Sequence, residues 1–137
     1  MSKIKTGICS YGMSGKLFHA PFIHLHEGYE LYAACERSKK EIADKYPGVI
    51  SYTTIDELMA DDAIELMIIN TPNYTHFDYA KKALLAGKHI VVEKPFCNNV
   101  EECDELMALA KEKNKIISVY QNRRWDSDFR TVRKVVE

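Results

Sequence analysis

Short, continuously apolar runs alternate along this chain with longer stretches that are apolar on one side only. Ile4 to Cys9 reads as a buried strand, and Tyr29 to Glu36 as a second that ends on an acid. Val49 to Tyr52, Glu65 to Asn70, His89 to Glu93 and Ile116 to Tyr120 supply four more. Between them lie helical patterns: Ser14 to Leu25, interrupted by Pro21; Ser38, as N-cap, to about Tyr46, stopped by Pro47-Gly48; and Thr54 to Met59, with Glu57 in the capping-box position. Tyr74 to Ala86 ends at Gly87, and Asn99 to Asn114 has acids first and lysines last, the order that complements a helix dipole. Asp126 to Glu137 closes the pattern as a helix with no stop signal. Strands without alternation are strands buried on both faces, so the chain is predicted to form an α/β fold: a Rossmann-type, doubly wound parallel sheet of about six strands with helices on both faces. Ligands of such sheets bind at the carboxyl ends of the strands, at the switch point.

A chain of 137 residues suits one domain, here residues 1–137. The formal net charge of −1 gives no reason to expect a nucleic acid or membrane partner. Cys9, Cys35, Cys97 and Cys103 form no C-x-x-C pair and are read as reduced thiols. With no signal-peptide core and no apolar run of spanning length, the expected compartment is the cytoplasm.

The chemistry concentrates where strands end. The first strand runs into Ser10-Tyr11-Gly12-Met13-Ser14-Gly15, the dinucleotide fingerprint G-x-G-x-x-G with serine for its first glycine. The first position makes the turn, Gly12 admits the pyrophosphate to the backbone, and Gly15 lets helix pack on strand. A plain strand-to-helix turn explains the motif about as well when it is taken alone. Glu36 shifts the balance, since it ends the next strand about 20 residues on, where a carboxylate accepts from the ribose hydroxyls. A carboxylate there repels a 2′-phosphate and favours NAD; Arg37, Ser38 and Lys39 follow at once and accommodate NADP if Glu36 turns aside. A mononucleotide P-loop fails because Met13 stands where its lysine must be, and the register at Gly15-Lys16 puts Leu17 in place of the metal-binding hydroxyl.

Three further groups lie at strand ends: Asn70-Thr71-Pro72-Asn73 with His76, Glu93-Lys94-Pro95, and Gln121-Asn122-Arg123-Arg124-Trp125. A turn accounts for Asn73, and for His76 as well. Lys94 is less easily set aside, because an amine at the mouth of a parallel sheet, partly desolvated, can donate or take a proton. His19, His24 and His26 lack metal-ligand spacing, so no metal is expected, and no nucleophile elbow points to a hydrolase.

In combination, the glycine turn followed by Lys16-Leu17-Phe18-His19-Ala20-Pro21, the Asn70-Thr71-Pro72 segment with His76, and Gly87-Lys88-His89 leading to Glu93-Lys94-Pro95 resemble the glucose-fructose oxidoreductase, inositol dehydrogenase and rhizopine-catabolism (Gfo/Idh/MocA) family over essentially the whole chain. The resemblance implies a two-domain, homo-oligomeric enzyme that transfers hydride between NAD or NADP and a sugar, cyclitol or related polyol. This chain would be its cofactor-binding half, inactive by itself, with the helix at about 126–137 leading into a substrate and oligomerisation domain. It implies that Ser10, Tyr11, Gly12, Met13, Ser14, Gly15, Glu36, Arg37, Asn70, Thr71, Pro72, His76, Glu93 and Lys94 surround the cofactor. Lys94 would be catalytic, assisting a histidine and an aspartate of the other domain. Arg123, Arg124 and Trp125 would line the substrate side or pack against that domain. Two alternatives carry different expectations: a dinucleotide-binding sensor without turnover, against which Lys94 argues, and a methyltransferase using S-adenosylmethionine, which needs no Glu-Lys-Pro.

Overall fold

The computed structural model describes residues 2–137. Six strands, β1 (Ile4–Ile8), β2 (Tyr29–Cys35), β3 (Ile50–Tyr52), β4 (Leu66–Ile69), β5 (His89–Val92) and β6 (Ile117–Val119), form one sheet in the order β3-β2-β1-β4-β5-β6. Every neighbouring pair is parallel. The order reverses between β1 and β4, so the carboxyl ends of these two strands open the crevice in which ligands of this fold bind.

The sheet separates two cores, as its unalternating strands predict. On one face α3 (Ile55–Ala60), α4 (His76–Leu85) and α5 (Val100–Glu112) contribute Leu58, Ala80, Leu84 and Leu106 against Met67, Ile69, Ile90 and Val92. On the other, α1 (Ala20–Leu25) and α2 (Ile42–Lys45) contribute Ala20 and Ile42 against Ile8, Leu31, Ala34 and Ile68. Cys9 and Cys35 pack in the first core, and burial pushes both thiols up, so each behaves there as a small apolar group. No helix among the described residues is long and apolar enough to cross a membrane.

The predicted cap at Thr54 is present, and Asn99 caps the helix expected to begin there. Thr54 and Glu57 form a full capping box, and the Asn99 side chain accepts from the Glu102 N–H. Gly87 takes φ +73° where α4 ends. Two helices differ from expectation. The stretch after Ser38 stays irregular until Ile42, because the group that satisfies the first N–H donors of α2 is the Glu36 carboxylate rather than Ser38. Pro21 does not interrupt its helix: the chain winds through it, preceded by a π-helical turn at Gly15–His19 in which the Ala20 N–H reaches the Gly15 carbonyl. A proline lacks the N–H an α-helix needs, and the wider turn upstream absorbs the mismatch. The last helix, α6 (Ser127–Val136), is exposed along its length, with Phe129, Val132, Val135 and Val136 facing solvent.

Candidate dinucleotide site

The glycine turn leaves β1 at the switch point and is latched from β4. Asn70, at the end of β4, accepts from the Ser10 N–H (2.9 Å) and donates to the Ser10 carbonyl (2.8 Å). The turn's first position therefore needs a presented backbone, which serine offers as well as glycine. The other two positions separate cleanly. A Cβ on Gly15 would lie 2.3 Å from the Ser10 carbonyl oxygen, so no side chain fits beneath the turn. A Cβ on Gly12 would meet only the Ser10 hydroxyl, at 3.4 Å, and otherwise project into open space. Gly15 is required by packing within the chain, whereas Gly12 leaves a cradle that a side chain would fill and a ligand's phosphates can enter. The residues present thus fit a dinucleotide diphosphate, against the free N–H groups at the start of the helical segment.

Two clefts meet at this turn. A cleft of 540 Å³ runs toward β2 and β3, between Ser10, Tyr11, Gly12 and Lys16 on one side and Arg37, Ser38, Lys39, Thr53 and Thr54 on the other, with Thr71 and Pro72 at its edge. Its size is that of a small-molecule site. Tyr11 contributes mainly backbone, since its side chain is buried in the second core and its N–H donates to the Cys35 carbonyl. A second cleft runs toward β5 and β6, lined by Met13, Ser14, Asn70, Thr71, His76, Glu93, Lys94 and Arg123.

The sequence places Glu36 at the ribose; in the structure it lines the first cleft, with its carboxylate engaged by protein donors. Glu36 is 7% exposed. Its Oε1 accepts from the N–H groups of Glu41 (2.8 Å) and Ile42 (3.1 Å), and its Oε2 from the Ser51 hydroxyl (2.7 Å). The acid ties β2, β3 and the start of α2 together, and it shares the wall of the cleft with Arg37, Ser38, Lys39 and Glu41. His76 is likewise occupied: its ring nitrogens lie 2.8 and 2.9 Å from the carbonyl oxygens of Pro95 and Thr71, so it can offer a ligand shape but no free nitrogen.

Lys94 lies beside the glycine turn across the second cleft, at a cis Lys94–Pro95 bond. It is exposed rather than partly desolvated. The predicted trio after β6 is divided. Arg123 lines the cleft with Lys94 and pairs with Asp126 (2.8 Å), whereas Trp125, 78% exposed, turns toward α6 with Arg124.

Two residues, His19 and Tyr120, join this site beside the expected Glu93 and Ser14. Glu93 Oε1 receives both the Ser14 hydroxyl (2.8 Å) and His19 Nε2 (2.9 Å). His19 is 3% exposed, and Tyr120 stacks on it with ring centroids 4.5 Å apart. Burial pushes the His19 pKa down against the pull of Glu93, so the neutral imidazole donates its Nε2–H. Burial pushes the Glu93 carboxyl up, but the hydrogen bonds from His19 and Ser14 outweigh it and hold the group ionised below its ordinary range. Both groups have depressed values in the folded state, so both stabilise the fold above their unfolded pKa values and lose that contribution on acidification. Thermal stability is therefore expected to fall as pH drops below about 6.5, the unfolded histidine value, and further below about 4.3, that of glutamate. Melting followed from pH 8 to 4 checks this, and His19→Leu should remove the upper part of the decline.

The latch, the cradle and the two clefts would suit a dinucleotide, and comparison with known proteins shows the family. The family model "Oxidoreductase family, NAD-binding Rossmann fold" (GFO_IDH_MocA) matches residues 4–121. The chain belongs to this family. An uncharacterized oxidoreductase of Schizosaccharomyces pombe is 44% identical over all of this chain and 39% of its own length. The scyllo-inositol 2-dehydrogenase (NADP(+)) IolW of Bacillus subtilis is 38% identical over 97% of this chain and 37% of its own length. The crystal structure of an oxidoreductase from Bacillus cereus superposes with a TM-score of 0.90 at 39% identity, over 98% of this chain and 39% of that one. The chain thus spans about two fifths of the length of these Gfo/Idh/MocA relatives, and it is an NAD(P)-binding Rossmann domain of their kind.

Proposed function

We propose that this chain is the cofactor-binding part of an oxidoreductase that uses NADP(H) in preference to NAD(H) and acts on a cyclitol, sugar or related polyol. The observation that carries the cofactor preference is the inward-turned Glu36. Most of the Glu36 carboxylate's acceptor capacity is taken by three protein donors, and Arg37, Ser38 and Lys39 beside it offer two cations and a hydroxyl to a 2′-phosphate. IolW, named as an NADP(+) enzyme acting on scyllo-inositol, supports both the cofactor and the substrate class.

Bound in the crevice, the dinucleotide supplies the hydride acceptor or donor. The chain's residues do the rest. Gly12 admits the diphosphate, and the Asn70 latch holds the turn's backbone in place. Lys94, lining the second cleft, would hold the substrate oxygen and stabilise charge developing on it, and Arg123 lines the same cleft. A base from another part of the protein completes proton removal.

The test is a pair of titrations on Arg37→Ala/Lys39→Ala. A charge-assisted hydrogen bond contributes about 1.5–3 kcal/mol, and these two side chains are exposed, so NADPH affinity is expected to fall about thirtyfold. NADH affinity should stay within about threefold, since it presents no phosphate there. Equal changes for both cofactors would refute the proposed preference.

A further inference from the structure

The π turn has a geometric consequence. Ser14 and His19 are five residues apart, yet both reach the same oxygen of Glu93. On an uninterrupted α-helix, five residues turn through about 500°, which leaves their side chains about 140° apart around the axis. The wider winding of Gly15–His19 brings them to one side. The turn is held from β6 as well, since the Tyr120 hydroxyl donates to the Phe18 carbonyl (2.8 Å) and its ring covers His19. The irregularity is thus maintained by side chains from two strand ends, in addition to its accommodation of Pro21.

The two things this arrangement joins are the start of the helical segment, where the Gly12 cradle lies, and the segment that carries Lys94. Glu93 binds the first through its side chain and precedes the second in sequence, and its backbone N–H is fixed to the Ile69 carbonyl (2.9 Å). We propose that Glu93 and His19 are positioning residues, which with Ser14 clamp the glycine-turn helix to the Lys94 segment and so set the distance between the diphosphate and nicotinamide ends of the cofactor site. Ser14 and Glu93 then act by holding each other rather than by contacting the cofactor. The proposal rests on the dinucleotide reading above.

A ligand that spans both ends senses the clamp, whereas one that occupies only the adenosine end does not. The test compares NADPH with adenosine 2′,5′-bisphosphate, using the whole protein. Glu93→Gln and His19→Leu are each expected to weaken NADPH about tenfold and to leave adenosine 2′,5′-bisphosphate within about twofold. His19→Gln, whose amide N–H can still donate to Glu93, should recover NADPH binding to within about threefold of the unaltered protein. NADPH affinity unchanged in both Glu93→Gln and His19→Leu would overturn the clamp. So would equal losses for the two ligands, which is what general loosening of the fold produces. Failure of the unaltered protein to bind either NADPH or NADH would instead overturn the dinucleotide reading, and the clamp with it.

Discussion

Replacing Lys94 by alanine in the whole protein is expected to lower kcat by about two to three orders of magnitude, the usual contribution of a positioned proton-transfer or charge-stabilising group. Lys94 stands across the second cleft from Met13 and Ser14, with Arg123 beside it. It is exposed, and it makes no part of either core. Its removal should therefore leave the melting temperature and NADPH affinity nearly unchanged, and the loss should appear in turnover rather than in binding. Lys94→Arg keeps the charge but not the compact ammonium, and should recover only part of the rate. Steady-state kinetics of the two variants with a polyol panel, beside a calorimetric NADPH titration, separates these effects. Turnover equal to that of the unaltered protein with cofactor still bound would remove Lys94 from the mechanism.

The second large effect divides the two glycines of the turn. Gly15→Ala places a methyl group 2.3 Å from the Ser10 carbonyl, a backbone atom that Asn70 holds in place. Neither partner can yield without moving the helix off β1, so a cost of about 3 kcal/mol in stability is expected, the upper range for overpacking. Cofactor binding should be lost with it, because the moved helix no longer presents its N–H groups. Gly12→Ala meets no backbone and should melt within about 0.5 kcal/mol of the unaltered chain, as surface substitutions do. It nevertheless fills the cradle and should weaken NADPH by at least about tenfold, or 1.4 kcal/mol. Denaturation curves and titrations on the two variants check the contrast. Equal destabilisation by both, or retained NADPH affinity in Gly12→Ala, would contradict the division of roles.

Much of this was legible in the sequence for a simple reason. Parallel strands buried on both faces read as unbroken apolar runs, and a stretch such as Leu66-Met67-Ile68-Ile69 has no other good explanation between turn residues. A cap made by a side chain to a backbone three residues away, as at Thr54, is local and therefore visible. What stayed hidden depends on residues distant in sequence. Glu36 looks like a ribose ligand from its position at the end of β2, and only the fold shows Ser51 and the start of α2 taking its carboxylate. Ser10 looks like a defect in the fingerprint until Asn70, 60 positions away, is seen to bind its backbone. The Ser14–Glu93 contact spans 79 positions, and its geometry exists only because of a π turn that no periodicity reveals. Pro21 inside a helical pattern was the one available sign of irregular winding upstream.

The crevice at the β1–β4 switch point is proposed to take a nicotinamide dinucleotide, with its 2′-phosphate against Arg37, Ser38 and Lys39. The direct measurement is calorimetric titration of the unaltered protein with NADPH, NADH and S-adenosylmethionine under one buffer and salt condition. NADPH should bind at least about tenfold more tightly than NADH, and S-adenosylmethionine should give no saturable heat. Tight binding of S-adenosylmethionine alone, or no binding of either dinucleotide, would contradict the account.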